Sequence, residues 1–191
     1  MANSSPVFPS SQVQTQAEMT LRRAGPADIA AIMGIERGPG FEDYVGRSSL
    51  AEHEDMLASP RYAYFVGLGP RDDVLAFAIL RNLDDPHGNL YLKRIAAARP
   101  GEGMGTAFLG LLLEWAFAHT SAHRIYLDCF ADNARAQALY TKLGFTRDGT
   151  LRQAYRLPDG SRKDLALMAL LKSEREGRLT PRGRSVPRSR A

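Results

Sequence analysis

Apolar residues at Met104, Ala107, Phe108, Leu111, Leu112 and Trp115 recur at helical spacing and predict a long helix ending near His119. An earlier helix opens at Gly25-Pro26 and carries Ile29, Ile32, Met33 and Ile35. Pro26 suits its first turn, Asp28 complements the helix dipole, and Gly38-Pro39-Gly40 breaks it. Another is predicted from near Ser48 to Ala58, stopped by Ser59-Pro60. The last runs from about Asn133 to Leu143, with Ala136, Leu139, Tyr140 and Leu143 on one stripe and Gly144 as its cap.

Between these helices the period shortens to two or disappears. Met19 to Ala24 reads as a short strand. Tyr62–Leu68 and Val74–Leu80 follow, the second so continuously apolar that both its faces must be covered. With the turn Asp84-Asp85-Pro86-His87-Gly88, these strands and Leu90–Ala97 predict an antiparallel meander. Arg124–Phe130 sets Ile125, Leu127 and Cys129 on one face and Tyr126, Asp128 and Phe130 on the other. Strands near Arg152–Leu157 and Lys163–Leu171 flank Pro158-Asp159-Gly160. The order β-α-α-β-β-β-α-β-α-β-β predicts one mixed α/β domain over residues 19–171 with a largely antiparallel sheet. Residues 1–18 read as a disordered leader and 172–191 as a basic, disordered tail.

Composition narrows the class without choosing a function. At 191 residues and 44% hydrophobic, the chain suffices for one buried core. No apolar run approaches the ~18 residues of a membrane span, and the leader lacks the basic and apolar regions of a secretory signal. A single cysteine, Cys129, excludes an internal disulfide and fits a reducing, cytoplasmic setting. His53, His87, His119, His123 and Cys129 show no metal-ligand spacing, so no metal is expected. The tail from Lys172 holds seven Lys/Arg and two Glu, a balance of +5 in a chain whose net charge is +4. The basic character therefore belongs to the tail and not to a face of the fold. A solvated terminus explains it most simply; contact with RNA or the ribosome is the other reading.

The chemistry starts at Arg99-Pro100-Gly101-Glu102-Gly103-Met104-Gly105-Thr106, a glycine-rich turn that opens the long helix. Such a turn holds phosphate, because glycines admit close backbone approach and the first helical N–H groups point at the anion. It is not a Walker loop, since Thr106-Ala107 follows Gly105 where Lys-Ser/Thr is required. Nor is it a dinucleotide fingerprint, for Phe108 stands where a third small residue belongs and the preceding strand reads as part of the meander.

The loop in company with Asn133-Ala134-Arg135-Ala136-Gln137-Ala138-Leu139-Tyr140-Thr141-Lys142-Leu143-Gly144-Phe145 resembles the GNAT superfamily of N-acetyltransferases. The resemblance extends from about Thr20 to Leu171. Its continuation through Gly144-Phe145-Thr146-Arg147-Asp148-Gly149 to Lys163-Asp164-Leu165 is similar to the branch holding polyamine and ribosomal-protein N-terminal acetyltransferases. The resemblance implies acetyl-CoA in a V between two neighbouring strands. Main-chain groups of Lys93, Arg94, Ile95, Ala96 and Ala97 would pair with the acetyl and pantetheine, as a β-partner would. Amides of Gly101, Glu102, Gly103, Met104, Gly105 and Thr106 would hold the pyrophosphate, and Asn133 the cofactor arm. Pro100 departs from the Arg or Gln usual in the family, and it can donate no N–H.

The same resemblance makes Tyr140 the general acid that protonates the departing thiolate, and Asp128 the base, acting with a raised pKa or a relaying water. Asp128 reads equally as an ion-pair partner for Arg124 or Lys93. Glu36, Glu42 and Asp43 flank the Gly-Pro-Gly segment where the acceptor enters this fold; they could attract a cationic amine, but surface solvation is the simpler reading. Cys129 and Trp115 read as core. These readings predict direct transfer of acetyl from acetyl-CoA to a primary amine: a protein N-terminus, a polyamine or another small amine. The rival is a catalytically weak acyl-CoA-binding module docked to RNA or the ribosome through the tail. The partners read from the sequence are the amine and no membrane, with a homodimer and tail contact to nucleic acid or ribosome left open.

Overall fold

In the computed structural model of the chain, residues 19–41 and 45–179 are described. Glu42, Asp43, the leader before Met19 and residues 180–191 lie outside them. The elements are β1 (Thr20–Arg23), α1 (Ile29–Glu36), α2 (Leu50–Ala58), β2 (Tyr62–Leu68), β3 (Val74–Arg81), β4 (Asn89–Ala97), α3 (Met104–His119), β5 (Arg124–Phe130), α4 (Ala134–Leu143), β6 (Thr146–Arg156), β7 (Arg162–Leu171) and α5 (Lys172–Leu179). A tight helical turn over Pro26–Asp28 leads into α1.

Seven strands form one sheet in the order β1-β2-β3-β4-β5-β7-β6. Every described pairing is antiparallel except β4 with β5, which run parallel over only Asn89↔Arg124, Leu90↔Ile125 and Tyr91↔Tyr126. The strand read as part of a purely antiparallel meander therefore has one parallel neighbour. Beyond Tyr91 and Tyr126 the two strands separate.

The sheet divides two cores. Ala76, Ala78 and Leu80 of β3 face α3 and α4 with Phe108, Leu109, Leu112 and Tyr140, while Phe77 and Ile79 face α1 with Ile32 and Ile35. Both faces of β3 are thus covered, which is why its sequence shows no alternation. Helix α3 is apolar nearly all round, so periodicity alone mis-phases it: Leu109, Leu113, Ala116 and Phe117 are buried, whereas Leu111 and Trp115 are only partly so. Helix α2 starts at a reciprocal cap, Ser49 Oγ accepting from the Glu52 amide and Glu52 Oε2 from the Ser49 amide.

Two boundaries differ from the sequence reading. Strand β6 begins at Thr146, not near Arg152. It is an almost wholly exposed edge strand broken by two register irregularities, so its polar sequence shows no strand period. Residues 172–179 are helix α5 and not disordered tail. Lys172 Nζ donates to the Phe117 carbonyl at 3.2 Å, and Arg175 reaches the Gly110 carbonyl and Glu114. The helix is anchored by polar groups on α3, so no apolar stripe announced it.

Candidate active site

The site forms where β4 and β5 part. One row of side chains crosses the sheet just before the opening: Tyr62, Arg81, Tyr91 and Tyr126 are register partners. Tyr91 and Tyr126 stack with ring centroids 5.0 Å apart. Past this row the main chain of β4 has no strand partner on the β5 side. The side chains of Ile95 and Ala97 enter the α3 core and Ala96 the α1 core, so only their backbone can meet a ligand.

The glycine turn lies at the end of this strand, on the α3 side. Gly101 (φ +100°) and Gly103 (φ +81°) take the left-handed backbone that glycine favours, and open space surrounds both where a side chain would stand. Among the described residues the amides of Gly101, Glu102, Gly103, Met104 and Gly105 donate to no group. Thr106 is the exception, its amide already committed to the Gly103 carbonyl at 3.0 Å. The remaining donors and the helix dipole fit an anion such as a pyrophosphate. Arg99 and Glu102 pair at 3.5 Å on the exposed rim. Asn133 caps α4, its Oδ1 accepting from the Ala136 amide at 3.0 Å, so Nδ2 is what remains for a ligand.

Tyr140 and Asp128 approach the opening from opposite faces. Tyr140, on α4, is 8% exposed and packs on Phe145. Burial pushes its phenol well above the ordinary value, with Cys129 and Asp128 adding to the effect, so it carries its proton throughout the physiological range. Asp128 accepts a hydrogen bond from Tyr91 Oη at 2.7 Å. Neither of the alternative partners, Arg124 or Lys93, forms an ion pair with it among the described residues; Arg124 binds Asp148 at 2.7 Å. Burial and Asp128 together push the Tyr91 phenol upward, so Tyr91 is the donor. Cys129 is half-buried beside the core, its thiol pushed up to about 11 by burial first and Asp128 second.

Glu36 corrects the sequence reading most clearly. It is neither a solvated surface acid nor a free anion for an amine: it is fully buried at the end of α1. Arg94 Nη1 donates to it at 2.8 Å, Arg37 Nη1 at 3.1 Å and the Ser48 amide at 3.1 Å, and His53 Nε2 lies 3.3 Å away. His53 Nδ1 in turn meets Tyr64 Oη at 3.0 Å, and burial raises the Tyr64 phenol to about 12. Sequence reasoning missed His53, Ser48, Tyr64 and Tyr91. The one local signal was an acid closing the apolar helix Ile29–Glu36.

An anion-ready turn, a splayed strand pair and a buried phenol opposite a carboxylate meet at one opening of a mixed α/β sheet. The chain belongs to the acetyltransferase (GNAT) family, whose model matches residues 31–145. The family's enzymes use acetyl-CoA as co-substrate. The chain is 30% identical over 100 residues to the ribosomal protein bS18-alanine N-acetyltransferase of Haemophilus ducreyi, covering 52% of this chain and 68% of that protein. The crystal structure of the ribosomal-protein-S18-alanine N-acetyltransferase from Escherichia coli superposes with a TM-score of 0.66 at 27% identity, over 80% of this chain and 93% of that one. The spermidine N-acetyltransferase from Vibrio cholerae in complex with CoA and spermine shares the fold, with a TM-score of 0.73 at 22% identity over 83% and 98% of the two chains. Among the described residues no helix is long and apolar enough to cross a membrane.

Proposed function

We propose that this chain acetylates a primary amine by direct attack, with the cofactor entering from the α3 face of the β4–β5 opening and the amine from the α1 face. The observation that carries this reading is the opening itself, which sets Tyr140 and Asp128 on opposite sides of one gap. Bound acetyl-CoA supplies an activated acyl thioester. Free amides from Gly101 to Gly105 hold its pyrophosphate, Asn133 Nδ2 its arm, and the backbone of residues 93–97 orients the acyl group. Asp128 takes a proton from the incoming ammonium, directly or through water, while Tyr91 holds that carboxylate in place. As the new C–N bond forms and the C–S bond breaks, the Tyr140 hydroxyl gives its proton to the leaving sulfur. Cys129 is left out, because a thiol held neutral by burial is a poor nucleophile.

Thermal unfolding with acetyl-CoA, ATP or NAD tests the cofactor, and thiol release with a panel of peptides, polyamines and amino acids tests transfer. Acetyl-CoA at 100 times its dissociation constant should add about 2.7 kcal/mol, and the other two nothing. Stabilisation by NAD with none by a CoA species overturns the reading.

A further inference from the structure

Two cations beside the acceptor face have no carboxylate of their own. The pairing of β3 with β4 shifts by one residue at Lys93, since Leu80 faces Leu92 and Ile79 faces Arg94. Arg94 thereby stands on the α1 face, and Lys93 joins it: the Lys93 ammonium lies in the fields of Arg94, Arg81, Asp128 and Glu52. Arg94 is neutralised by Glu36. Lys93, half-buried, makes no ion pair among the described residues. Arg81 makes none either. Its guanidinium lies 5.9 Å from the Tyr62 ring, and its Nε is buried without a hydrogen-bond partner.

Two neighbouring cations with no ion pair, one of them partly desolvated, carry a free-energy cost that an anion between them would recover. That anion cannot be the cofactor's pyrophosphate, whose donors lie past the other end of β4 on the α3 side. The carboxylates whose fields reach Lys93 are both engaged, Asp128 by the Tyr91 hydroxyl and Glu52 by the Ser49 amide. A polyamine would bring several positive charges against Lys93 and Arg81, where the two nearby acids are already engaged, and like charges at such a site discriminate strongly.

We propose that Lys93 and Arg81 bind an anionic group of the acceptor, so that the substrate is an amine bearing a nearby carboxylate, such as an acidic peptide N-terminus, and not a polyamine. This rests on the acetyl-transfer reading and names its substrate class. Asp128 and Tyr91 would meet the amine while the two cations meet the carboxylate, fixing the acceptor at two points. The aromatic pair Tyr91–Tyr126 forms the floor beneath it.

The test is kcat/KM by thiol release for peptides of one length and one N-terminal residue, with Asp, Gln or Lys in second place, and for spermidine. The expected order is Asp, then Gln, then Lys, with the Asp peptide at least about tenfold better than the Lys peptide, the scale of one charged hydrogen bond, and spermidine last. Lys93→Gln and Arg81→Gln should each pull the Asp-to-Lys ratio toward one, and Lys93→Arg should restore it. This ratio does not move when a variant merely loses folded protein. Preference for spermidine or the Lys peptide, or a ratio unchanged in Lys93→Gln, overturns the proposal while leaving acetyl transfer intact. Transfer to no amine at all removes the acetyl-transfer reading and this proposal with it.

Discussion

Arg94 Nη1 lies 2.8 Å from Glu36 Oε2, a bond between residues 58 positions apart. It ties the end of α1 to the strand that lines the opening. Glu36 is fully buried and Arg94 nearly so, which makes removal of one partner expensive. Glu36→Ala should cost about 3–5 kcal/mol in urea unfolding by leaving an uncompensated charge. Glu36→Met with Arg94→Met should recover a large part of it. A Glu36→Ala protein as stable as the parent would show that the network is solvated.

Tyr140→Phe keeps the ring against Phe145 and removes only the hydroxyl. It should lower kcat by about 10²–10⁴-fold, the scale of a general acid, with the acetyl-CoA thermal shift retained. Full activity would make the phenol a packing residue.

The pH–rate curve should climb toward alkaline pH, because only the unprotonated amine attacks. It should not turn down near 10.0, the ordinary phenol value, since burial moves Tyr140 upward and its proton is kept beyond that point. Cys129→Ala should leave the curve unchanged, its thiol being held up at about 11 and neutral over most of the range. Loss of activity in Cys129→Ala with the fold intact would instead argue for an acetyl-cysteine.

Gly103 shows how the turn and the site depend on backbone freedom. A Cβ there meets open space, so the cost of Gly103→Ala is conformational, about 1–2 kcal/mol for a left-handed residue. Acetyl-CoA titration by calorimetry should show weakened binding, because relaxing φ turns the amides of Met104 and Gly105 away from the anion. Equal affinity would place the pyrophosphate elsewhere.

What the sequence disclosed and what it hid divide along the distance between partners. Helix α4 and its cap were legible because Asn133, Tyr140 and Gly144 act within one element. Strands β2 and β3 were legible from their apolar runs. The Glu36 network was not, because Arg94, Ser48 and His53 reach it from three other segments. Tyr91 could not be matched to Asp128 without knowing that β4 and β5 run parallel for three residues. Helix α5 was hidden because its anchors, Lys172 and Arg175, look like the rest of a basic tail.

Truncation after Leu171 therefore should destabilise the domain. It removes the Lys172 bond to Phe117 and the Arg175 contacts with Gly110 and Glu114, worth together roughly 1–3 kcal/mol. Thermal unfolding of the truncated and full chains measures it, and equal midpoints would make α5 a passenger.

The extra residue at Lys93 works like a frameshift within the strand. Were Lys93 instead paired in step with Ile79, Arg94 would face Ala78 and point its guanidinium into the α3 core, and Ile95 would turn out beside Phe77. The bulge, and not the identity of the residue that occupies it, sets the faces of residues 94–97: removal of Lys93 would leave Arg94 opposite Ile79, whereas closing the bulge around Lys93 would turn all four over. A strand that kept its length but lost this one irregularity would exchange a paired guanidinium for an apolar side chain on each face, so the fault in the ladder is what holds the two cores and the ion pair in agreement.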